Sequence, residues 1–305
     1  MKISVVIPTV NDQEELLATI RSIRQTAPTT QIVVIDDCSA YDVVVPDDLN
    51  VVLHRNFYRI GSGGSRHVGA QIADGDYLVM TDSHVRFEDG WVSDVMSGIM
   101  QYPDALFCGV CKGFTPKVKP FGQPAGTYYG ADLQFIGKQP DGSGNQVLEG
   151  VWAGERDDME EISCVMGANY VMPRKRFLEL GGMNHFRVWG VEEQLMSLKF
   201  WLSGSDVRLM KNFVTWHRFR DGEKLPFHNS LWTLIYNKLF LIETMFPRSI
   251  ADRMIAALPR CFDTNQAVEK LREDWRLVEL ERERNKSLFV NDIEWLLKKF
   301  EIPLL

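Results

Sequence analysis

An acid and an imidazole two residues apart, Asp82-Ser83-His84, stand at the end of an apolar run, Tyr77-Leu78-Val79-Met80-Thr81. The run has the composition of a buried strand. Where such a strand ends, an aspartate and a histidine can turn to the same side and share one divalent ion. The triplet occurs in many chains, so its weight depends on what surrounds it. Pro8-Thr9 and Asp36-Asp37 follow two other apolar runs. A carboxylate there can accept the N–H of a nucleobase such as uracil, and the same residue types also serve plain turns. Ser65-Arg66-His67-Val68-Gly69 follows a glycine-rich turn, Gly61-Ser62-Gly63-Gly64. An arginine opening a helix can reach a phosphate or nucleoside oxygen. The fourth group is Trp189-Gly190-Val191-Glu192-Glu193 with His217-Arg218-Phe219-Arg220. Acids at a helix start also simply suit the helix dipole, and His217 alone reads as a surface histidine.

The elements that must position these residues alternate. Strand patterns at Ile3–Ile7, Ile32–Ile35, Val51–Leu53, Tyr77–Thr81 and Leu106–Val110 read as buried. Between them lie helical patterns, with Leu16, Leu17, Ile20 and Ile23 on one face and Trp91, Val92, Val95, Met96 and Ile99 on another. Near-continuous apolar strands between helices predict an α/β fold with a mostly parallel sheet covered on both faces. Ligands of such sheets bind beyond the strands' carboxyl ends, where Asp36, Asp37, Asp82 and His84 all fall. The glycines at 61–64 follow the third strand, so they do not make a dinucleotide fingerprint, which follows the first.

From Gly113 to Asp158 the periodicity dissolves into prolines (Pro116, Pro120), glycines and aromatics, predicting ordered loops and hairpins at the mouth of a site. A helix is expected near Pro173–Leu180, and another over Glu192–Leu202 with Leu195, Leu198 and Leu202 on an apolar stripe. After Gly222 the character becomes helical, and Asn291 is placed to cap a last helix. The expected division is residues 1–222 for the sheet domain and 223–305 for a helical appendage. The appendage packs on the main domain, binds the acceptor or contacts a second copy. Its most apolar segment, Leu231–Phe246, packs on a core or touches a membrane surface; Asn237, Lys238 and Glu243 interrupt it.

With 45% apolar residues the chain can build a sizeable core. A net charge of −7 without a long basic block argues against tight non-specific nucleic-acid binding. No apolar run is long enough to span a bilayer. The chain opens on a strand pattern rather than a signal peptide, and five cysteines is an odd number, which together predict a reduced, cytoplasmic protein. Cys108 and Cys111 form a lone C-x-x-C inside an apolar stretch and read as buried strand residues.

Over roughly residues 1–222 these segments resemble the nucleotide-sugar glycosyltransferases of the GT-A fold. KISVVIPTVND and VVIDDCS resemble the start of family 2 glycosyltransferases, whose common forms read PTYNE and VDDGS, and SRHVGA stands where that family has A-R-N-x-G. TDSHVRFEDGW, FRVWGVEEQLMSLKFWLSG and WHRFR resemble the D-x-H, W-G-G-E-N and H-x-F-R segments of the polypeptide N-acetylgalactosaminyltransferases.

The resemblance implies a UDP-sugar donor, with Thr9 and Asp37 on the uridine and Arg66 approaching the nucleotide. It implies Asp82, His84 and His217 as ligands of a divalent ion bridging the diphosphate, and Arg220 on the diphosphate itself. A carboxylate with two imidazoles suits Mn2+ better than Mg2+, the alternative ion. Gly167 and Ala168 would floor the sugar pocket, and Trp189 would pack beside the transferring sugar. Glu193 stands where inverting family 2 enzymes usually carry an aspartate base, and where the polypeptide transferases have Asn. Glu192 matches the acid common to both groups. Helix neighbours point about 100° apart, so only one of the two faces the reacting centre.

The expected reaction is therefore metal-dependent sugar transfer to a hydroxyl, with inversion through Glu193. Retention is the alternative outcome. The acceptor is a glycan, a lipid-linked sugar, a protein, a small molecule or a hydroxymethylated DNA base, the last disfavoured by the acidic balance. Without a lectin-like domain or membrane anchor in the sequence, peptide glycosylation in a secretory compartment is not expected. A non-catalytic nucleotide-sugar-binding protein is the rival reading. A nucleotidyltransferase would use a glycine- and lysine-rich loop that PTVNDQEE lacks.

Overall fold

The computed structural model describes residues 1–114, 126–136, 147–220 and 225–303. The chain opens with β1 (Ile3–Thr9), α1 (Gln13–Thr26), β2 (Gln31–Asp36), β3 (Val51–Arg55) and α2 (Gly61–Ile72). Next come β4 (Tyr77–Thr81), β5 (Val85–Phe87), α3 (Trp91–Gln101), β6 (Leu106–Phe114), β7 (Thr127–Tyr128), β8 (Ala131–Ile136) and β9 (Val147–Trp152). Then follow β10 (Asn169–Pro173), α4 (Arg174–Glu179), α5 (Glu192–Leu202) and β11 (Val207–Arg218). Five helices end the chain: α6 (Leu231–Met245), α7 (Arg248–Ala256), α8 (Phe262–Glu273), α9 (Trp275–Leu288) and α10 (Ile293–Lys299).

The main sheet runs β3-β2-β1-β4-β10-β6-β11-β5, with β7 on β6. Strands β3, β2, β1 and β4 pair in parallel, as their continuous apolar runs predict. Beyond β4 the sheet is mixed, because β10 enters antiparallel between β4 and β6. Every residue of β1 and β4 is buried. At Gly69 an added Cβ would lie 2.3 Å from Val6 Cγ1, so only glycine lets α2 approach β1 this closely. Cys108 and Cys111 are buried on β6, and burial pushes the Cys108 thiol up to about 12.

Three expectations need correction. Strand β3 is the sheet edge, and Val52 and Leu53 are exposed; an apolar run does not show which neighbour a strand lacks. Helix α5 has no single apolar stripe, because it is enclosed on nearly every side, down to Lys199 and Ser197. The last helix is capped by Asp292, whose Oδ1 accepts from Trp295 N at 2.7 Å, while Asn291 donates to Trp201 O. Pro116, Pro120 and the boundary at residue 222 lie outside the described residues.

The C-terminal helices pack onto the sheet domain through more than apolar contact. Helix α6 buries Ile235, Tyr236, Leu239, Phe240, Leu241 and Ile242 within the chain, so packing is the course its apolar segment takes. Among the described residues no helix is long and apolar enough to cross a membrane. Lys199 on α5 meets Glu281 on α9 at 2.5 Å, with side chains 2% and 1% exposed. The ammonium also donates to Gly182 O at 2.9 Å, and Arg284 joins Glu281. Burial opposes the Glu281 charge, but Lys199 and Arg284 hold its carboxyl below the usual range.

Breaking such a pair from one side leaves a buried charge under-compensated. Lys199→Met is expected to cost about 3 kcal/mol in urea unfolding, and adding Glu281→Leu to recover most of it. A single variant as stable as wild type would show that the pair does not hold the helices down.

Candidate active site

The sheet geometry brings distant residues together. Strand β4 ends at Thr81, and Asp82-Ser83-His84 forms the turn into β5. Strand β5 pairs antiparallel with the end of β11, setting Val85 opposite His217, and Arg218 N donates to His84 O at 3.0 Å. The pairing of β11 with β6 shifts register between Met210 and Val214, before β11 reaches this point. One ligand atom each from Asp82, His84 and His217 lies within 4.8 Å of the others. Asp82 Oδ2 is 3.4 Å from His217 Nε2, and the two imidazole centroids are 4.8 Å apart.

Their surroundings favour metal-binding forms. Burial would raise the Asp82 carboxyl, but the hydrogen bond to His217 and the charges of Arg66 and both histidines hold it well below the usual range. Burial lowers His217 against the pull of Asp82, favouring the neutral imidazole that ligates. A carboxylate held in its charged form and two half-buried imidazoles, converging, fit one divalent ion.

Around the cluster lies a cavity of about 550 Å3. Of the predicted residues, Thr9, Asp37, Arg66, Asp82, His84, Gly167, Trp189, Glu193, His217 and Arg220 line it. Thr9 is 4% exposed, and its Oγ1 has no hydrogen-bond partner among the described residues. Asp37 already accepts from Ile60 N, Gly61 N and Asn56 Nδ2 at 2.8–3.0 Å, so it anchors the loop before α2. Arg66 is buried, donates to Asp82 Oδ1 at 2.6 Å and lies over the Tyr170 ring. Burial opposes its charge, while Tyr170, Asp82, Glu192 and Glu193 keep it firmly protonated.

The two glutamates separate as helix geometry requires. Glu193 lines the cavity, and its Oε1 accepts from Tyr170 Oη at 2.5 Å. A Cβ on Gly167 would stand 2.9 Å from that oxygen, so a larger residue there would crowd Glu193. Glu192 turns away from the cavity lining, is 1% exposed, and takes hydrogen bonds from Ser62 Oγ and Gly190 N. Burial first, then the charge of Glu193, push its carboxyl up to about 7. Ala168, with φ of 99°, is buried and absent from the lining.

Sequence reasoning missed three participants. Asp12 accepts from Arg220 Nη2 at 2.6 Å and Ser83 Oγ at 2.8 Å, and lies 3.2 Å from His84 Nδ1. Burial opposes its charge, but His84 and Arg220 hold it well below the usual range. Its place directly after PTVN, in the segment that resembles PTYNE, was the available signal. Tyr170 carries no spacing signal of its own in the sequence. Asn237 read only as an interruption of an apolar helix.

Asn237 is fully buried, accepts from Arg187 N at 2.8 Å, and donates to the carbonyls of Arg187, Trp189 and Gly190. The loop it holds has Val188 at φ 51°, Gly190 at 112° and Val191 at 63°. A β-branched residue at positive φ is strained and persists only where surroundings enforce it. An added Cβ at Gly190 would meet Leu234 Cδ1 of α6 at 2.4 Å. Asn237→Ala is expected to lower kcat about tenfold or more, through loss of loop geometry, with a smaller change in nucleotide affinity. Steady-state kinetics beside nucleotide titration would check this; an unchanged kcat would remove the positioning role.

The family described as glycosyl transferase family 2 matches residues 4–162. Polypeptide N-acetylgalactosaminyltransferase 8 of Drosophila melanogaster is 29% identical over 236 residues, covering 72% of this chain and 38% of that protein. The chain thus spans about two fifths of the length of that relative. A crystal structure of GalNAc-T7 with UDP, GalNAc and Mn2+ superposes with a TM-score of 0.71 at 20% identity, covering 99% of this chain and 56% of that one. S. aureus TarS 1-349 in complex with UDP-GlcNAc gives a TM-score of 0.55 at 15% identity, covering 93% and 89%. At these identities the structural likeness is one of fold, the GT-A fold.

Proposed function

We propose, from the premise that the chain belongs to glycosyl transferase family 2, that it is a metal-dependent transferase moving a sugar from a UDP-sugar to a hydroxyl acceptor with inversion. The observation that carries the reading is the convergence of Asp82, His84 and His217 in one cavity with Glu193. The GalNAc-T7 neighbour, solved with UDP and Mn2+, supports the choice of donor and ion.

Asp82, His84 and His217 would hold the ion, Mn2+ by their ligand types, with Mg2+ as the alternative. When bound, it supplies positive charge that offsets the charge developing on the departing diphosphate. The protein's own residues do the rest. Thr9 offers an unmet hydroxyl to the nucleoside. Arg220, oriented by Asp12, offers its guanidinium to the diphosphate. Gly167 leaves space for the sugar beside Glu193. Glu193, oriented by Tyr170, takes the proton of the acceptor hydroxyl as that oxygen attacks the anomeric carbon. The carbon–oxygen bond to the diphosphate breaks on the opposite face, and UDP leaves with the electron pair. Glu192 acts from behind, holding Ser62 and Gly190.

The test is incubation with a panel of UDP-sugars and Mn2+, following UDP release and nucleotide binding. Metal-dependent hydrolysis or transfer supports the reading, and absence of nucleotide binding overturns it. NMR of the product settles its configuration; an anomer matching the donor would overturn inversion.

A further inference from the structure

The cavity also holds polar groups to which the transfer reading gives no role. Contacts run from the metal cluster through Asp82 to Arg66, across the Tyr170 ring, to Glu193. The next residue on α5, Gln194, donates from Nε2 to Glu149 Oε2 at 3.4 Å. The other Glu149 oxygen pairs with Lys238 of α6. All three side chains line the cavity, on three separate elements.

Two observations mark them as a ligand site. Gln194 is 7% exposed, and its Oε1 has no hydrogen-bond partner among the described residues. The carboxylate fixes which end of the amide is the donor, so the unmet atom is an acceptor. A buried polar atom without a partner is unfavourable, and a bound hydroxyl would relieve it. The Glu149–Lys238 pair is the second observation: its side chains are 25% and 20% exposed, so ligand groups can still reach them.

We infer, resting on the transfer reading above, that Glu149, Lys238 and Gln194 form the acceptor subsite, and that the acceptor is a neutral carbohydrate. Hydroxyls satisfy all three, donating to Gln194 Oε1 and Glu149 while accepting from Lys238, and a sugar carries several of them on one rigid ring. The pair is internally balanced, so an anionic or cationic ligand would add an uncompensated charge beside it. Gln194 directly follows Glu193 on α5, and both line the same cavity, so a ligand on this cluster shares the cavity with the candidate base.

The experiment uses the full chain, Mn2+ and the UDP-sugar most readily hydrolysed. Acceptors are four neutral disaccharides (lactose, cellobiose, maltose and chitobiose), a serine- and threonine-containing peptide, and a hydroxymethylcytosine oligonucleotide. Transfer to a disaccharide is expected. Its KM should rise about tenfold in Glu149→Gln and in Lys238→Met, the loss of one charge-assisted hydrogen bond. UDP affinity, measured by calorimetry in the same variants, separates this subsite from the donor site. Transfer only to peptide or oligonucleotide, an unmoved acceptor KM, or variants altered in donor-sugar preference instead would each overturn the subsite. Hydrolysis of the donor in those cases leaves the transfer reading standing. Failure of wild type to bind UDP overturns both.

Discussion

Replacing His217 with alanine is expected to abolish metal-dependent UDP binding and to lower sugar transfer by about two to three orders of magnitude. The size follows from what the residue does twice. It is one of three groups whose ligand atoms lie within 4.8 Å, and two ligands cannot close the set. It also hydrogen-bonds Asp82, and its loss leaves that carboxylate with Arg66 as its ion-pair partner among the described residues. Calorimetry with UDP in the presence and absence of Mn2+ reads the effect without any acceptor. Binding that responds to Mn2+ as in wild type would take His217 out of the ligand set. The fold should tolerate the change, since His217 sits at the cavity wall rather than in the apolar core.

The second large effect belongs to Glu193→Gln. General-base catalysis typically contributes a factor of about 10²–10⁴, so transfer should fall by that much while UDP affinity holds. Glutamine keeps the shape and can still meet the Tyr170 hydroxyl, but it has no carboxylate to take a proton. Tyr170→Phe should give a milder loss, because it frees the carboxylate without removing it. Full transfer activity in Glu193→Gln would exclude it as the base and move the mechanism towards retention.

Much of this site is legible in the chain because acids and histidines at strand ends are conspicuous among apolar runs. Asp82 and His84 announce themselves through spacing. His217 does not: it joins them only because β11 pairs with β5, and no local pattern encodes that pairing. Asp12 was hidden for a different reason. A polar residue after a strand reads as turn material, and its role appears only when the turn folds back on His84 and Arg220. The exposure of Val52 and Leu53 was equally unreadable, since the residues of an edge strand need not differ from those of a central one. The glutamate pair shows the converse. Helix geometry alone says that Glu192 and Glu193 face different ways, and only the packing of Ser62 and Tyr170 decides which looks inward.

The clamp that Asn237 places on residues 187–190 bears on how this chain could be shortened or recombined. A cut after the last sheet strand would keep every candidate metal ligand and the candidate base, and would pass as a complete catalytic domain by inspection. It would also release a loop carrying two valines in a backbone region they disfavour, directly before α5. The smallest working unit must therefore extend through α6, and chimeras that exchange C-terminal helices between relatives should carry residues 187–191 with them.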